Sequence, residues 1–216
     1  MYSNIEKIKS AIQDEINTLG NKMVDAPWHD PEFYKMWLAQ THYLIRHTTK
    51  LLALAAAYVK VENRDHHYVM LEHIKGELHH DLMPLKDLKD FGAHISEFPE
   101  LPETEMIHQL QYYWIAHENP LSLCGYAFLL EGAAKFFGPQ LLKNLQEKYG
   151  TKGSLFLKVH VTVDQDHYEE GSQFLNTLNL EECRYILRNM QQSNILYSRM
   201  IDRIKDEYLL QKKYAA

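Results

Sequence analysis

Residues 155–167 read LFLKVHVTVDQDH. Apolar side chains recur in this stretch at three- and four-residue spacing, which is typical of a helix with a buried face. At about 100° per residue, His160, Asp164 and His167 fall within about 60° of one another around such a helix. An isolated acid in these apolar surroundings would be costly. The stretch therefore predicts a helix whose His-x3-Asp-x2-His face meets polar partners elsewhere in the fold.

The helical spacing of apolar residues continues outward from this stretch in both directions. Glycine and proline are sparse, at 9 and 7 residues, and no repeat or long linker interrupts the pattern. The sequence predicts an all-α, single-domain fold over residues 1–216, with Gly20 ending the first helix, a kink near Pro84 in the third and a bend or break at Gly138-Pro139 in the fifth. The seven predicted helices span residues 4–19, 31–61, 63–88, 103–117, 121–149, 154–178 and 180–214.

Composition and charge exclude several classes of protein. The chain has 216 residues, 45% of them hydrophobic, which excludes disorder, and its net charge of −6 argues against nucleic acid or anionic lipid as partners. The longest apolar run, residues 51–59, is too short to span a membrane, and residues 1–14 lack a signal-peptide pattern, so a cytoplasmic location is expected. Two cysteines form neither a disulfide framework nor a thiolate metal site.

The candidate site combines side chains from three predicted helices. Glu72 and His79 stand seven residues apart, about 20° short of two full turns, so they share one face of the third helix. Glu131 lies in the apolar segment AFLLEGAA, where a carboxylate needs a partner. Together with His160, Asp164 and His167 they give three imidazoles and three carboxylates, a set that suits iron or manganese. Two divalent ions would leave a net charge of about +1, which makes burial tolerable.

A second motif on the third helix offers an alternative pair of ligands. Glu77-x2-His80 has the Glu-x-x-His spacing of ferritin-like diiron proteins, but Glu77 lies about 140° from Glu72 around one continuous helix, so both cannot face one site. The prediction therefore takes Glu72 and His79. The remaining helical histidines are expected on solvated surfaces: His66, His67, His73, His94, His108 and His117.

Small residues on the face of Glu131 indicate space beside the ligands. Cys124, Ala127 and Gly138 share that face, and Gly76 projects between Glu72 and His79. A purely structural core would normally be filled by larger side chains at such positions. These small residues therefore indicate a space beside the predicted ligands that a substrate or dioxygen could occupy.

The pattern resembles the haem-oxygenase-like diiron oxidases and oxygenases, a superfamily of seven-helix bundles. The order, helix assignment and spacing of the six residues carry the resemblance over most of the chain. It implies an enzyme that uses two Fe²⁺ ions, with Mn²⁺ as an alternative metal, and dioxygen to oxidise an amine, an amino acid or a fatty acid. An external electron donor and a homodimer belong to the same expectation. The implied metal ligands are Glu72, His79, Glu131, His160, Asp164 and His167.

Three other functions stay open at this point. A metal-free hydrolase of the same fold, resembling the TenA thiaminases, would use Cys124 as its nucleophile. A haem protein would use His42 as an axial ligand, which would leave the histidines of residues 155–167 unexplained. A metal-binding protein without turnover would bind iron but consume no dioxygen.

Overall fold

A computed structural model describes residues 4–215, apart from the side chains of residues 163–166 and 215. Throughout this described part the secondary structure is helical and no strand occurs, as the sequence predicts. Short 3-10 turns occupy residues 61–63, 80–82, 95–97 and 120–122. The α-helices are α1 (Ile5–Val24), α2 (Pro31–Ile45), α3 (Thr48–Tyr58), α4 (Arg64–Gly76), α5 (Met83–Asp90), α6 (Pro102–His117), α7 (Leu123–Tyr149), α8 (Leu155–Leu175) and α9 (Leu180–Ala215).

Helix α7 lies at the centre of the bundle and packs against α1, α8 and α9. The predicted apolar stripe of α1 is confirmed, because Ile8, Ile12 and Ile16 are almost fully buried in the core. Gly20 does not end α1, contrary to the prediction. It lies against the ring of Phe137 instead, where a Cβ would come within 2.0 Å of a ring carbon, so it allows α1 to approach α7 closely. None of the helices in the described part is long and apolar enough to cross a membrane.

Two helices predicted as continuous are each divided in the structure. The second separates into α2 and α3 at residues 46–47. Both pack against α6, while α2 also packs against α5 and α9 and α3 also packs against α4. The third separates into α4 and α5 at residues 77–82. Its break lies ahead of Pro84, which occupies the first turn of α5, where a proline removes no helical hydrogen bond.

The fifth predicted helix is not broken. Helix α7 continues through Pro139 to Tyr149 without ending at Gly138-Pro139. Gly138 lies against Val161 of α8, where a Cβ would come within 2.7 Å of a methyl carbon, so glycine allows α7 and α8 to approach closely. The fourth, sixth and seventh predicted helices agree with α6, α8 and α9 to within a few residues.

Asp87 of α5 holds the beginning of α8. Its side chain is fully buried, and its two carboxylate oxygens accept hydrogen bonds from the backbone N–H groups of Leu155, at 2.9 Å, and Phe156, at 2.8 Å. These amides have no partner within α8, since the first amides of a helix never do. Burial raises the pKa of the Asp87 carboxyl, although the two backbone hydrogen bonds oppose that rise. Asp87 therefore fixes the helix that carries His160 and His167.

We expect Asp87→Ala to lower the free energy of unfolding by about 3 kcal/mol, because two buried N–H groups lose a charged acceptor. Asp87→Asn keeps one acceptor oxygen and should lose about half as much. Urea unfolding followed by circular dichroism measures both. An alanine variant within about 0.5 kcal/mol of the unsubstituted protein would contradict this account.

Candidate metal centre

The end of α4 decides which side chains face the interior. Gly76 is the last residue of α4, and His79 has a left-handed backbone with φ of 69°, which turns the chain before the 3-10 turn at residues 80–82. The side chain of Glu77 is 11% exposed and His80 is buried. Glu72 lies outside, with a side chain 71% exposed and 2.6 Å from the Nζ atom of Lys75. His79 is exposed as well.

One group of ligand atoms joins α4, α7 and α8. His73, Glu131 and His167 each offer one such atom, and the three atoms lie within 4.8 Å of one another. The Nε2 atom of His73 is 3.2 Å from Oε1 of Glu131, and the His73 and His167 rings are 4.8 Å apart between centroids. This separation allows one ion to bind all three side chains. We call these residues the outer triad.

A second group lies beside the first. Glu77, His80 and His160 also offer three ligand atoms within 4.8 Å of one another. The Nδ1 atom of His80 is 3.3 Å from Oε2 of Glu77, and the His80 and His160 rings lie 4.9 Å apart. We call these residues the inner triad.

The carboxylate of Glu77 connects the two triads. Its Oε2 faces His80, whereas its Oε1 is 3.8 Å from Nε2 of His73 and 4.0 Å from Nδ1 of His167. Burial alone would raise the pKa of the Glu77 carboxyl, but the imidazoles of His80, His160 and His73 lower it overall. Glu77 is therefore ionised at neutral pH and directs one oxygen to each triad, as a carboxylate bridging two metal ions does.

His160 is oriented for metal binding by its own helix. Its Nδ1 atom is 2.8 Å from the carbonyl oxygen of Phe156, and since a carbonyl only accepts, Nδ1 carries the hydrogen. The lone pair then lies on Nε2, free for an ion. Proteins usually fix the tautomer of a ligating histidine in this way, with a hydrogen bond from the ring nitrogen that does not bind the metal.

The structure brings together three of the six predicted ligands, Glu131, His160 and His167. It does not bring Glu72 and His79 to them. That prediction needed a continuous helix from residue 72 to residue 79, and α4 ends at Gly76. The side chain of Asp164 lies outside the described residues, so its role stays a prediction. The sequence prediction rejected Glu77-x2-His80, which the structure places at the site. Its expectation of solvated surfaces is wrong for His73, which lies at the site with a side chain 22% exposed, and for His108, which is buried.

The donor set fits iron. Four imidazoles and two carboxylates make up the two triads, a mixture that suits divalent iron or manganese and has no thiolate. Burial and the charge of Glu131 raise the pKa of the nearby Cys124 thiol to about 12, so the thiol stays protonated at neutral pH. Each triad leaves further coordination positions open, which a reactive site requires.

An apolar cavity of about 120 Å³ adjoins both triads. Its wall includes Ala127 and Gly138, as the small residues of α7 indicate, and it also includes Tyr126 and Tyr197. No lysine or arginine lines it among the described residues. Burial raises the pKa of both tyrosines, that of Tyr197 to about 12, so the cavity contains neutral phenols.

A second and wider cleft reaches the outer triad from the other side. It measures about 870 Å³, and Cys124 lies in its wall with His73, Glu131 and His167. Three carboxylate side chains also line it, those of Asp65, Glu72 and Glu170. The two triads therefore lie between an apolar cavity and an acidic cleft.

Comparison with known proteins identifies the class. A family model described as "Iron-containing redox enzyme" matches residues 35–195. The chain belongs to this family of iron-containing redox enzymes, and the described site contains the donors that iron needs. A search of curated proteins finds no significant match.

Solved structures confirm the fold. A domain of unknown function with a haem-oxygenase-like fold from Shewanella denitrificans superposes with a TM-score of 0.84 at 21% identity, over 98% of this chain and 96% of that one. A TenA homologue from Pseudomonas syringae has a TM-score of 0.77 at 11% identity, over 95% and 98%. A TenA homologue from Pyrococcus furiosus gives 0.70 at 11% identity, over 91% and 99%. The all-α haem-oxygenase-like fold predicted from the sequence is therefore correct.

Proposed function

We propose that this redox enzyme is a non-haem diiron oxidase or oxygenase that uses dioxygen to oxidise a small organic substrate with an apolar body. The observation that carries the proposal is the pair of triads joined by Glu77 beside an apolar cavity. The outer triad would hold one iron and the inner triad the other, with Glu77 between them. The chemistry that iron supplies when bound is the reduction of dioxygen to a species that oxidises organic molecules.

The protein's own residues favour an apolar substrate. The cavity wall is mostly aliphatic, including Leu44, Leu52 and Leu130, and these side chains exclude water from the oxidised position. Tyr126, Tyr197 and Thr41 of the wall each carry a neutral hydroxyl that could donate a hydrogen bond to a polar atom of the substrate. Among the substrates that the resemblance implies, a fatty acid or an apolar amine fits this wall better than a free, fully charged amino acid. The carboxylate or amine would lie at the metal end.

The described residues give less support to a TenA-like hydrolase and to a haem protein. A hydrolase using Cys124 needs a thiolate, and a thiol pKa of about 12 disfavours one. His42 is engaged through Nδ1 with the carbonyl oxygen of Asp81, at 2.8 Å, and does not line the cavity. The TenA-like structures therefore support the fold of this chain and not a hydrolase activity.

The proposal extends to partners. Dioxygen, the organic substrate and an external electron donor are its reactants, and we expect a homodimer from the family resemblance. Sedimentation analysis at micromolar concentration tests the dimer directly.

Anaerobic loading with ferrous iron, followed by exposure to oxygen, tests the function. We expect two irons per chain and rapid oxygen consumption, both lost in Glu131→Gln and His160→Asn because each substitution removes one ligand from one triad. Cys124→Ser is the matched control and should behave like the unsubstituted protein. Iron binding without oxygen consumption would support a metal-binding protein instead, and oxygen consumption that survives both ligand substitutions would contradict the proposed site.

A further inference from the structure

A third group of possible ligands lies away from the metal centre. His47 stands between α2 and α3, Glu100 lies in the loop before α6, and His108 is on α6. One ligand atom from each lies within 4.8 Å of the other two. None of these residues belongs to the outer or inner triad, and none lines either cavity.

We propose that His47, Glu100 and His108 form a separate binding site for one divalent ion of the zinc type. Two imidazoles and one carboxylate with a remaining open position are a common zinc donor set. The Nε2 atom of His108 is 3.0 Å from Oε1 of Glu100, and the rings of His47 and His108 stack at 3.9 Å with 13° between their planes. Ligand atoms around a tetrahedral zinc ion lie ~3.3 Å apart, so the two stacked rings would turn away from each other when both bind the ion.

An unsatisfied nitrogen atom supports this assignment. Nε2 of His47 is buried without a hydrogen-bond partner. Buried polar atoms are almost always paired, so this atom, on the ring that stacks against His108, indicates a missing ligand. The Nδ1 atom of His47 is 3.0 Å from the hydroxyl of Tyr112, and donation to that oxygen leaves the lone pair on Nε2.

The carboxylate of Glu100 is oriented by the side chain of Arg46. Arg46 binds Oε2 of Glu100 at 2.5 Å, which orients Oε1 towards His108. The ion would connect the α2–α3 junction to α6, next to Ile45 and Thr48 of the apolar cavity wall.

Cobalt titration of the full chain tests the site. Co²⁺ replaces zinc and gives visible absorption that reports its ligands. In a background that carries both Glu131→Gln and His160→Asn, which weakens the outer and the inner triad, we expect tetrahedral-type cobalt bands that Glu100→Gln weakens by about tenfold or more in affinity. His108→Asn should act in the same way, whereas His117→Asn, an exposed histidine of the same helix, should not.

The outcome is independent of the diiron proposal. Metal analysis of the unsubstituted protein, saturated with Zn²⁺ and washed, should give one ion more per chain than in Glu100→Gln, whatever the triads bind. If His108→Asn fails to fold, as circular dichroism would show, this difference between the unsubstituted protein and Glu100→Gln decides the question. Equal zinc content and equal cobalt spectra in those two proteins would overturn the site.

Discussion

Glu77→Gln is expected to lower the affinity for ferrous iron by about 100-fold or more, a larger loss than the ~10–100-fold typical of residues that only support ligands. Glutamine has the size of glutamate, so the packing around residue 77 stays the same. The loss arises because Glu77 directs one oxygen to each triad, and a neutral amide neither bridges two cations nor balances their charge. Iron content after anaerobic loading and oxygen consumption should fall together.

Glu72→Gln is the matched control for this prediction. Glu72 lies on the same helix and belonged to the ligand set predicted from the sequence, but its side chain is 71% exposed and paired with Lys75. We expect Glu72→Gln to retain iron and oxygen consumption. His80→Asn and His79→Asn form a second pair with the same expected contrast. Loss of iron in Glu72→Gln with retention in Glu77→Gln would show that residue 72, as predicted from the spacing, binds the metal and that residue 77 does not.

Gly125→Ala is expected to destabilise the protein by about 3 kcal/mol, despite the ~1 kcal/mol that alanine normally contributes over glycine within a helix. A Cβ on Gly125 of α7 would lie 2.2 Å from the carbonyl oxygen of Ile186 and 2.9 Å from the backbone nitrogen of Met190. Both atoms belong to the backbone of α9, so no side-chain rotation relieves the contact. The two helices must separate, and the core around them loses its packing.

Gly138→Ala provides the comparison for Gly125. It lies on the same helix, and its Cβ would approach a methyl group of Val161, at 2.7 Å, with no backbone atom as close. Part of that contact is relieved by side-chain adjustment, so we expect a loss of less than about 1.5 kcal/mol. Thermal and urea unfolding measure both variants. Equal stability of the two variants would show that α7 and α9 approach less closely than described.

The fold was largely predictable because helical periodicity is a local property. The stripe of Ile8, Ile12 and Ile16 and the apolar face of α8 mark their helices without any tertiary information. The breaks were not predictable in the same way. Gly20 has the character of a helix end, and only the ring of Phe137 from a distant helix shows that it serves close packing.

The candidate site was predictable where its residues lie within long helices. Glu131 and His160 were identified because each carries a polar group in apolar sequence, and His167 because it shares a helix face with His160. On the third predicted helix, spacing alone could not choose between residues 72 and 79 and residues 77 and 80. The left-handed backbone of His79 decides the choice, and an ordinary residue in that conformation carries no clear sequence signal.

The small residues of α7 that line the apolar cavity also suggest how substrate choice could diverge. Ala127, Ala133 and Ala134 face the cavity beside Gly138, and none of them is a ligand in either triad. Enlarging one of these side chains would shorten the space available to a substrate chain while leaving the iron donors in place. The side chains of α7 would then limit the length of substrate that fits the cavity, and single substitutions in related proteins could change that limit.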